Sequence, residues 1–326
     1  MTERDLNIVR EFYNALLEGL NQIIIGQEDI KQFLILSLFC EGNVLLEGMP
    51  GLGKTVSVKS LARLLGLTFK RVQFTPDLMP SDILGSEVLE TAPDGKKELV
   101  FKYGPVFTNF LLADEINRAS PKTQAALLEA MEEKQVSVHG NSIPLPRPFF
   151  VVATQNPVEL EGTYPLPEAQ LDRFIVKLVV RPPTEDQLVE VINQESSKLS
   201  KEINPVLPTN ETLTVLELAQ RMISQVIISE KLLRVIARIV TSLNPLSPTS
   251  PSPVKQFIKH GPGPRASIAL AKLAKARALS RGNIYVSLED IRDCLSPALR
   301  HRIILSFEAE AEQIDADTIL EDIKTF

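Results

Sequence analysis

Residues 48–55 run Gly48-Met49-Pro50-Gly51-Leu52-Gly53-Lys54-Thr55, which fits the spacing G-x-x-x-x-G-K-[ST] without deviation. Three glycines and a proline in eight residues cannot continue a regular helix or strand, so the chain must turn here with its backbone N–H groups open. Before the turn, Val44–Glu47 reads as a short apolar strand, and after it Lys54–Leu65 has the composition of a helix. A strand that enters a glycine-rich loop and leaves as a helix presents amides and a positive helix end to phosphate. In that setting Lys54 reaches the terminal phosphates and Thr55 ligates magnesium, with Met49, Pro50, Leu52 and Val56 completing the cradle.

A phosphate loop needs a second magnesium ligand and a group that activates water, both at the end of a neighbouring buried strand. About sixty residues on, Phe110–Ala113 is a fully apolar run closed by Asp114 and Glu115. Asp114 is the expected magnesium ligand, directly or through water, and Glu115 is the expected residue to polarise the attacking water. ATP with Mg2+ is the ligand pair this chemistry calls for.

The segments Thr68–Phe74, Phe149–Thr154 and Phe174–Val180 add buried strands separated by helical patterns. The class is therefore α/β, with a parallel sheet of about five strands. Two hairpins are expected: one over Val88–Glu90 and Glu98–Phe101 around Ala92–Gly95, and one over Gln135–Val138 and Ile143–Leu145 around His139–Ser142. At Arg181-Pro182-Pro183 strand character stops. Helical periodicity then returns at Glu185–Leu199, Glu211–Ile223, Glu230–Leu243, Ala266–Ser280 and Leu288–Leu295. The division expected is an α/β core over 1–183, including a helix at Asp5–Leu20, and a small helical domain over 184–326. Residues 244–264, rich in proline, read as a mobile loop, and the acidic C-terminus as a solvated helix.

Composition narrows the class further. With 44% hydrophobic and 23% charged residues the chain is neither disordered nor membrane-like. Its apolar runs, such as Phe33–Leu36, are far shorter than the roughly 18 residues a span needs. The N-terminus lacks the basic-then-apolar order of a secretory signal, so a cytoplasmic protein is expected. A formal net charge of -6 argues against binding to a nucleic-acid backbone. Cys40 and Cys294 read as small core residues; His139, His260 and His301 read as surface or loop residues without metal-ligand spacing.

Three longer blocks carry a resemblance. EINRASPKTQAALLEAMEEKQVSVHG after LLAD, then VVATQNPVELEGTYPLPEAQLDRF, then GPGPRASIALAKLAKARAL, occur in the order and spacing of the MoxR family of AAA+ ATPases. The likeness runs from about Ile24 to about Leu305, and it implies an AAA+ P-loop core followed by an all-helical lid, working as an ATPase in a ring of identical subunits, hexameric in the expected case.

The resemblance also implies roles for individual residues. Asn156 matches sensor 1, hydrogen-bonding the γ-phosphate and water. Arg173 matches the arginine finger directed at a neighbouring subunit, with a salt bridge to Asp172 or Glu168 as its alternative and Arg118 as a competing trans contact. Arg265 matches sensor 2, acting from the lid of the same subunit. Gly26 and Gln27, with Ile24 and Ile25, resemble the loop that packs on adenine, and Asn43 is placed to restrain Glu115. Both hairpins match insertions that face the ring's centre. A chaperone-like remodeller that matures a client complex, by cofactor or metal insertion, is the implied role, with a von Willebrand factor A domain protein as partner. A DNA motor and an ATP-gated assembly module stand as alternatives.

Overall fold

The computed structural model describes residues 2–91, 97–138, 140–157, 162–196 and 203–323. Five parallel strands form one sheet in the order Phe69–Gln73, Phe110–Asp114, Phe150–Gln155, Asn43–Glu47, Phe174–Val179. Side chains alternate across a strand, and here that period sorts the apolar residues onto two faces. Val44, Leu46, Phe110, Leu112, Phe150, Val152, Val176 and Leu178 enter one core. Leu45, Leu111, Ala113, Val151 and Ala153 enter the other, under the helix Pro121–Glu133.

The first core is the larger. It gathers the helices Glu3–Asn21, Glu28–Phe39 and Lys54–Leu64, then continues into Thr209–Gln225, Glu230–Ser242, Pro264–Ser280 and Leu288–Leu299. Glu28–Phe39 is buried on nearly every side, from Ile30 through Phe39 except Gln32, because it lies between the sheet and the later helices. The largely helical lid, which carries one short strand pair, thus packs along a face of the α/β core and its N-terminal helices.

Both hairpins form. The first pairs Gly85–Thr91 with Lys97–Tyr103, longer than expected, and its turn at 92–96 lies outside the described residues. The second pairs Gln135–Val138 with Asn141–Pro144. Val138 faces Asn141, so only 139 and 140 are left between the strands, with Gly140 at φ +83°. That is tighter than the four-residue turn expected, and a left-handed glycine is what a two-residue turn requires. His139 lies outside the described residues.

Three expectations about the C-terminal half are corrected. Residues 244–264 are not simply a loop: Ser252–Phe257 is a helix, and Ile258–His260 pairs antiparallel with Ile304–Leu305. Proline ends the preceding turn and then starts this helix, where its missing N–H costs nothing. The acidic end is not merely solvated, since Ala316–Ile323 buries Ile319, Leu320 and Ile323 in the core. His301 is not a surface residue but is 7% exposed, bonded through Nε2 to the Phe174 carbonyl. Cys40 and Cys294 are buried as expected. Among the described residues no helix is long and apolar enough to cross a membrane.

Candidate nucleotide site and subunit-facing edge

The glycine-rich loop leaves the central strand Asn43–Glu47 and enters the helix that starts at Lys54. Gly51 and Gly53 have φ of +84° and +81°, and no atom lies within 4 Å of where a Cβ would stand on either. The backbone is therefore open on the side that faces solvent, as a phosphate cradle needs. Gly48 is required for a different reason: a Cβ there would lie 2.8 Å from Val180 Cβ and 2.9 Å from the Val180 carbonyl oxygen. Lys54 Nζ donates to the Gly48 carbonyl at 2.6 Å, closing the loop on itself. Burial pushes its ammonium below the usual range, opposed by Asp114, Glu115 and Glu47. This open cradle, with a desolvated lysine beside two carboxylates, fits a magnesium-bound triphosphate.

Asp114 ends the adjacent-but-one strand and is 8% exposed. Its Oδ1 accepts from the Thr154 hydroxyl at 2.5 Å, and its Oδ2 accepts from Arg71 Nε and Nη2 at 2.9 and 2.5 Å. Glu115 follows in the left-handed region at φ 56°, a conformation that costs energy for a residue with a Cβ. Its N–H donates to Thr154 Oγ1 at 2.8 Å. Its carboxylate accepts from Gln73 Nε2 at 2.7 Å and pairs with Arg118 Nε at 2.9 Å. Arg71 also donates to Gln73 Oε1 at 3.0 Å, so one network ties both acids to the end of the neighbouring strand.

Asn156 follows the strand whose last carbonyl, that of Gln155, accepts from the Gly48 N–H at 3.2 Å. It is buried at the mouth of the loop. Gly26 and Gln27 sit in left-handed conformations, φ 66° and 57°. Gln27 lines a cavity with Val179, Arg181, Gln187, Pro297 and Arg300 and donates to the Arg181 carbonyl at 2.7 Å. The structure thus brings the loop, both acids, Asn156 and Gln27 to the same, C-terminal edge of the sheet, where open α/β sheets bind ligands.

Three predicted residues do not join them. Asn43 pairs with Phe174 at the start of the parallel strands, four residues before Glu47. Its Oδ1 accepts the Val151 N–H at 3.0 Å, so it braces the sheet and is at the wrong end to restrain Glu115. Gln73 and Arg118 hold that carboxylate instead. Arg173 immediately precedes the last strand, and Arg265 opens the helix Pro264–Ser280. Both line a cavity with Asn43, Met131, Glu132 and Asp172 at the opposite sheet edge. Arg173 Nη2 pairs with Glu132 at 3.0 Å, not with Asp172 or Glu168, while Arg265 stands 3.8 Å from Glu132 and from Asp172. Arg265 therefore does not lie over the loop of its own chain: four strand steps of about 3.3 Å separate the two edges by about 13 Å at least.

Arg71 and Gln73 went unmarked in the sequence, where FKRVQF reads as an ordinary strand. The available signal was their i, i+2 spacing, which puts both side chains on one face at the strand's end.

Comparison with known proteins agrees with this architecture. Residues 43–176 match the ATPase family associated with various cellular activities, and residues 252–323 match the AAA lid domain. The chain is 39% identical over 312 residues to Chaperone MoxR1 of Mycobacterium tuberculosis, covering 96% of this chain and 80% of that protein. The chain belongs to the MoxR family of AAA+ ATPases. Protein MoxR of Paracoccus denitrificans is 31% identical over 301 residues, covering 88% of this chain and 87% of that one. A crystal structure of an inferred ATPase from Cytophaga hutchinsonii superposes with a TM-score of 0.88 at 39% identity, covering 98% and 96% of the two chains. In this MoxR chain Arg173 and Arg265 stand at the end of the sheet opposite the glycine-rich loop.

Proposed function

We propose that the protein hydrolyses ATP in a ring of identical subunits and uses turnover to remodel or mature a partner protein complex. The observation that carries this reading is the separation just described. Lys54, Thr55, Asp114, Glu115 and Asn156 lie at one edge of the sheet, while Arg173 and Arg265 lie at the other. A rotation that sets copies edge to edge brings two arginines of one subunit to the phosphates of the next, and a closed ring repeats the contact. Arg118 pairs with Glu115 at the loop's own end of the sheet, whereas Arg173 stands at the far end, which favours Arg173 as the trans cation.

In the assembled site the loop amides and Lys54 hold the triphosphate, and Thr55 and Asp114 hold magnesium. The metal, when bound, neutralises phosphate charge as a Lewis acid. Glu115 orients water and takes its proton once Gln73 and Arg118 release the carboxylate, and Asn156 steadies that water. The neighbour's arginines meet the charge that develops on the transferred group. Gly26 and Gln27, with Arg181 and Gln187, enclose the base.

The first hairpin supports a protein client over DNA. Its paired strands expose Leu89, Leu99, Val100 and Tyr103, an apolar ribbon rather than a basic one. Contact with a client, presented by a von Willebrand factor A domain partner and matured by cofactor or metal insertion, suits such a surface in a cytoplasmic setting.

The test is subunit mixing. Arg173→Ala chains and Glu115→Gln chains are each expected to be inactive alone, and mixtures are expected to recover turnover, because some interfaces then pair an intact Glu115 with an intact Arg173. Zero recovery at every ratio, with assembly verified by light scattering, overturns the shared site.

A further inference from the structure

Arg300, His301 and Arg302 form a single 3-10 turn after the lid helix Leu288–Leu299. The turn covers the sheet's edge strand and reaches both ends of the machinery. Arg300 lines the cavity that contains Gln27, Arg181 and Gln187, and pairs with Asp317 at 3.0 Å. Arg302, with a side chain only 4% exposed, grips the segment that carries Arg173. Its Nε donates to Asp172 Oδ1 at 2.7 Å, and its Nη2 to the carbonyls of Phe174 at 2.9 Å and Asp172 at 3.3 Å. A further bond runs from Nη1 to the Ile175 carbonyl at 3.4 Å, and Nη1 is anchored back on the Ala298 carbonyl of the preceding helix. His301 Nε2–H donates a second hydrogen bond to the Phe174 carbonyl at 3.0 Å.

This arrangement has two consequences for Arg173. The peptide on either side of it is clamped by a planar, buried fork whose bonds fix direction as well as distance. Asp172, its nearest acid in sequence, is already occupied by Arg302, so Arg173 turns to Glu132 on the outer surface. A side chain held only by a half-exposed pair is free to leave for a phosphate at small cost, whereas a pair with the carboxylate already fixed by Arg302 would hold it back.

We propose that Arg302 is the positioning residue for Arg173, and that through Arg300 the same turn makes the arginine offered to the neighbour depend on the nucleotide in the subunit's own base cavity. This rests on the reading of Arg173 as a trans finger, and it adds a direction to the ring: each subunit's base site sets the finger delivered to the next. Lid and finger are coupled by contact between rigid elements, with the two-state element being the turn itself.

The test uses the full chain with Arg173→Cys carrying a nitroxide; Cys40 and Cys294 are buried and stay unlabelled. ADP binding is checked first with a fluorescent ADP. Saturating ADP is expected to change the label's spectral line shape, and the change is expected to vanish in Arg302→Gln and in Arg300→Ala. Since Arg302 is the buried member of the pair and its loss risks misfolding, Asp172→Asn breaks the same grip from its more exposed side, with circular dichroism as the fold control. An ADP response that persists undiminished in folded Arg300→Ala and Asp172→Asn chains overturns the proposal. On turnover, Asp172→Asn is expected to lower kcat about 10- to 100-fold with nucleotide affinity unchanged, and to cost nothing further once Arg173→Ala is present; multiplicative losses overturn it. Failure of the mixing experiment with an intact ADP response would instead refute the finger and leave the coupling standing.

Discussion

Replacing Arg265 with Ala separates the two places a lid arginine can act. If Arg265 served its own subunit's phosphates, as its sequence position suggests, the isolated chain would lose nucleotide affinity. The structure sets a ceiling on that loss. Arg265 stands with Asn43 and Arg173 at the edge opposite the loop, and the strands between them place about 13 Å or more between the charges. At that distance each unit charge pair is worth about 0.3 kcal/mol in water, and because the Arg265 side chain is exposed, the roughly three charges of a diphosphate sum to about 1 kcal/mol. Arg265→Ala should therefore weaken ADP binding to the dilute monomer by less than about tenfold. In the assembled ring the same change removes a cation from a neighbour's phosphate, where one lost donor costs about a hundredfold or more in kcat. Titration of fluorescent ADP at low protein concentration, beside ATPase assays at concentrations where rings form, reads both numbers. A monomer affinity reduced well beyond tenfold, or a ring kcat within threefold of the wild type, would refute the trans geometry.

Three further outcomes follow from named contacts. Gln73→Leu removes a charge-assisted but exposed hydrogen bond to Glu115, worth about 1 kcal/mol, and is expected to raise basal turnover about fivefold with affinity unchanged; a fall in turnover would assign Gln73 a positive role. Gly48→Ala forces a methyl against the Val180 backbone and is expected to cost about 1–3 kcal/mol, read as a lower melting temperature. Burial pushes the Lys134 ammonium down to about 8, with Glu41 opposing. Its folded value lies below its unfolded value of 10.5, so the unfolded chain binds the extra proton between them and stability rises with pH from about 8 to 10.5. Lys134→Met is expected to be more stable at pH 7, by up to about 3 kcal/mol, and to lose that upward slope; an unchanged slope in denaturant unfolding would discard the assignment.

Contiguous motifs were legible because each carries its own geometry. The run Gly48–Thr55 between an apolar strand and a helix builds its cradle from neighbours in the chain, and Asp114-Glu115 closing Phe110–Ala113 needs only a strand end. The start of helix Pro121–Glu133 is local in the same way, since Ser120 caps it through the Thr123 N–H and Pro121 opens it, signals legible in contiguous sequence. Burial of His301 was not, because its partner is a backbone carbonyl 127 positions away. Nor was the order inside 244–264, where Ile258–His260 becomes a strand only by pairing with Ile304–Leu305.

What the sequence determined by itself is the phosphate loop, its two acids and the class of chemistry they serve. What the tertiary structure alone decided is which strand ends are neighbours. The strand after the loop helix lies at the far side of the sheet, beside Phe110–Asp114, and that non-sequential order brings Arg71 and Gln73 to the two acids. Parallel orientation puts Asn43 and Arg173, at the starts of their strands, at the other end, and packing of the lid brings Arg265 beside them. Residue identity fixes what a side chain can do, but a parallel sheet gives its two edges to different partners, and the edge a residue occupies depends on contacts made across the whole chain.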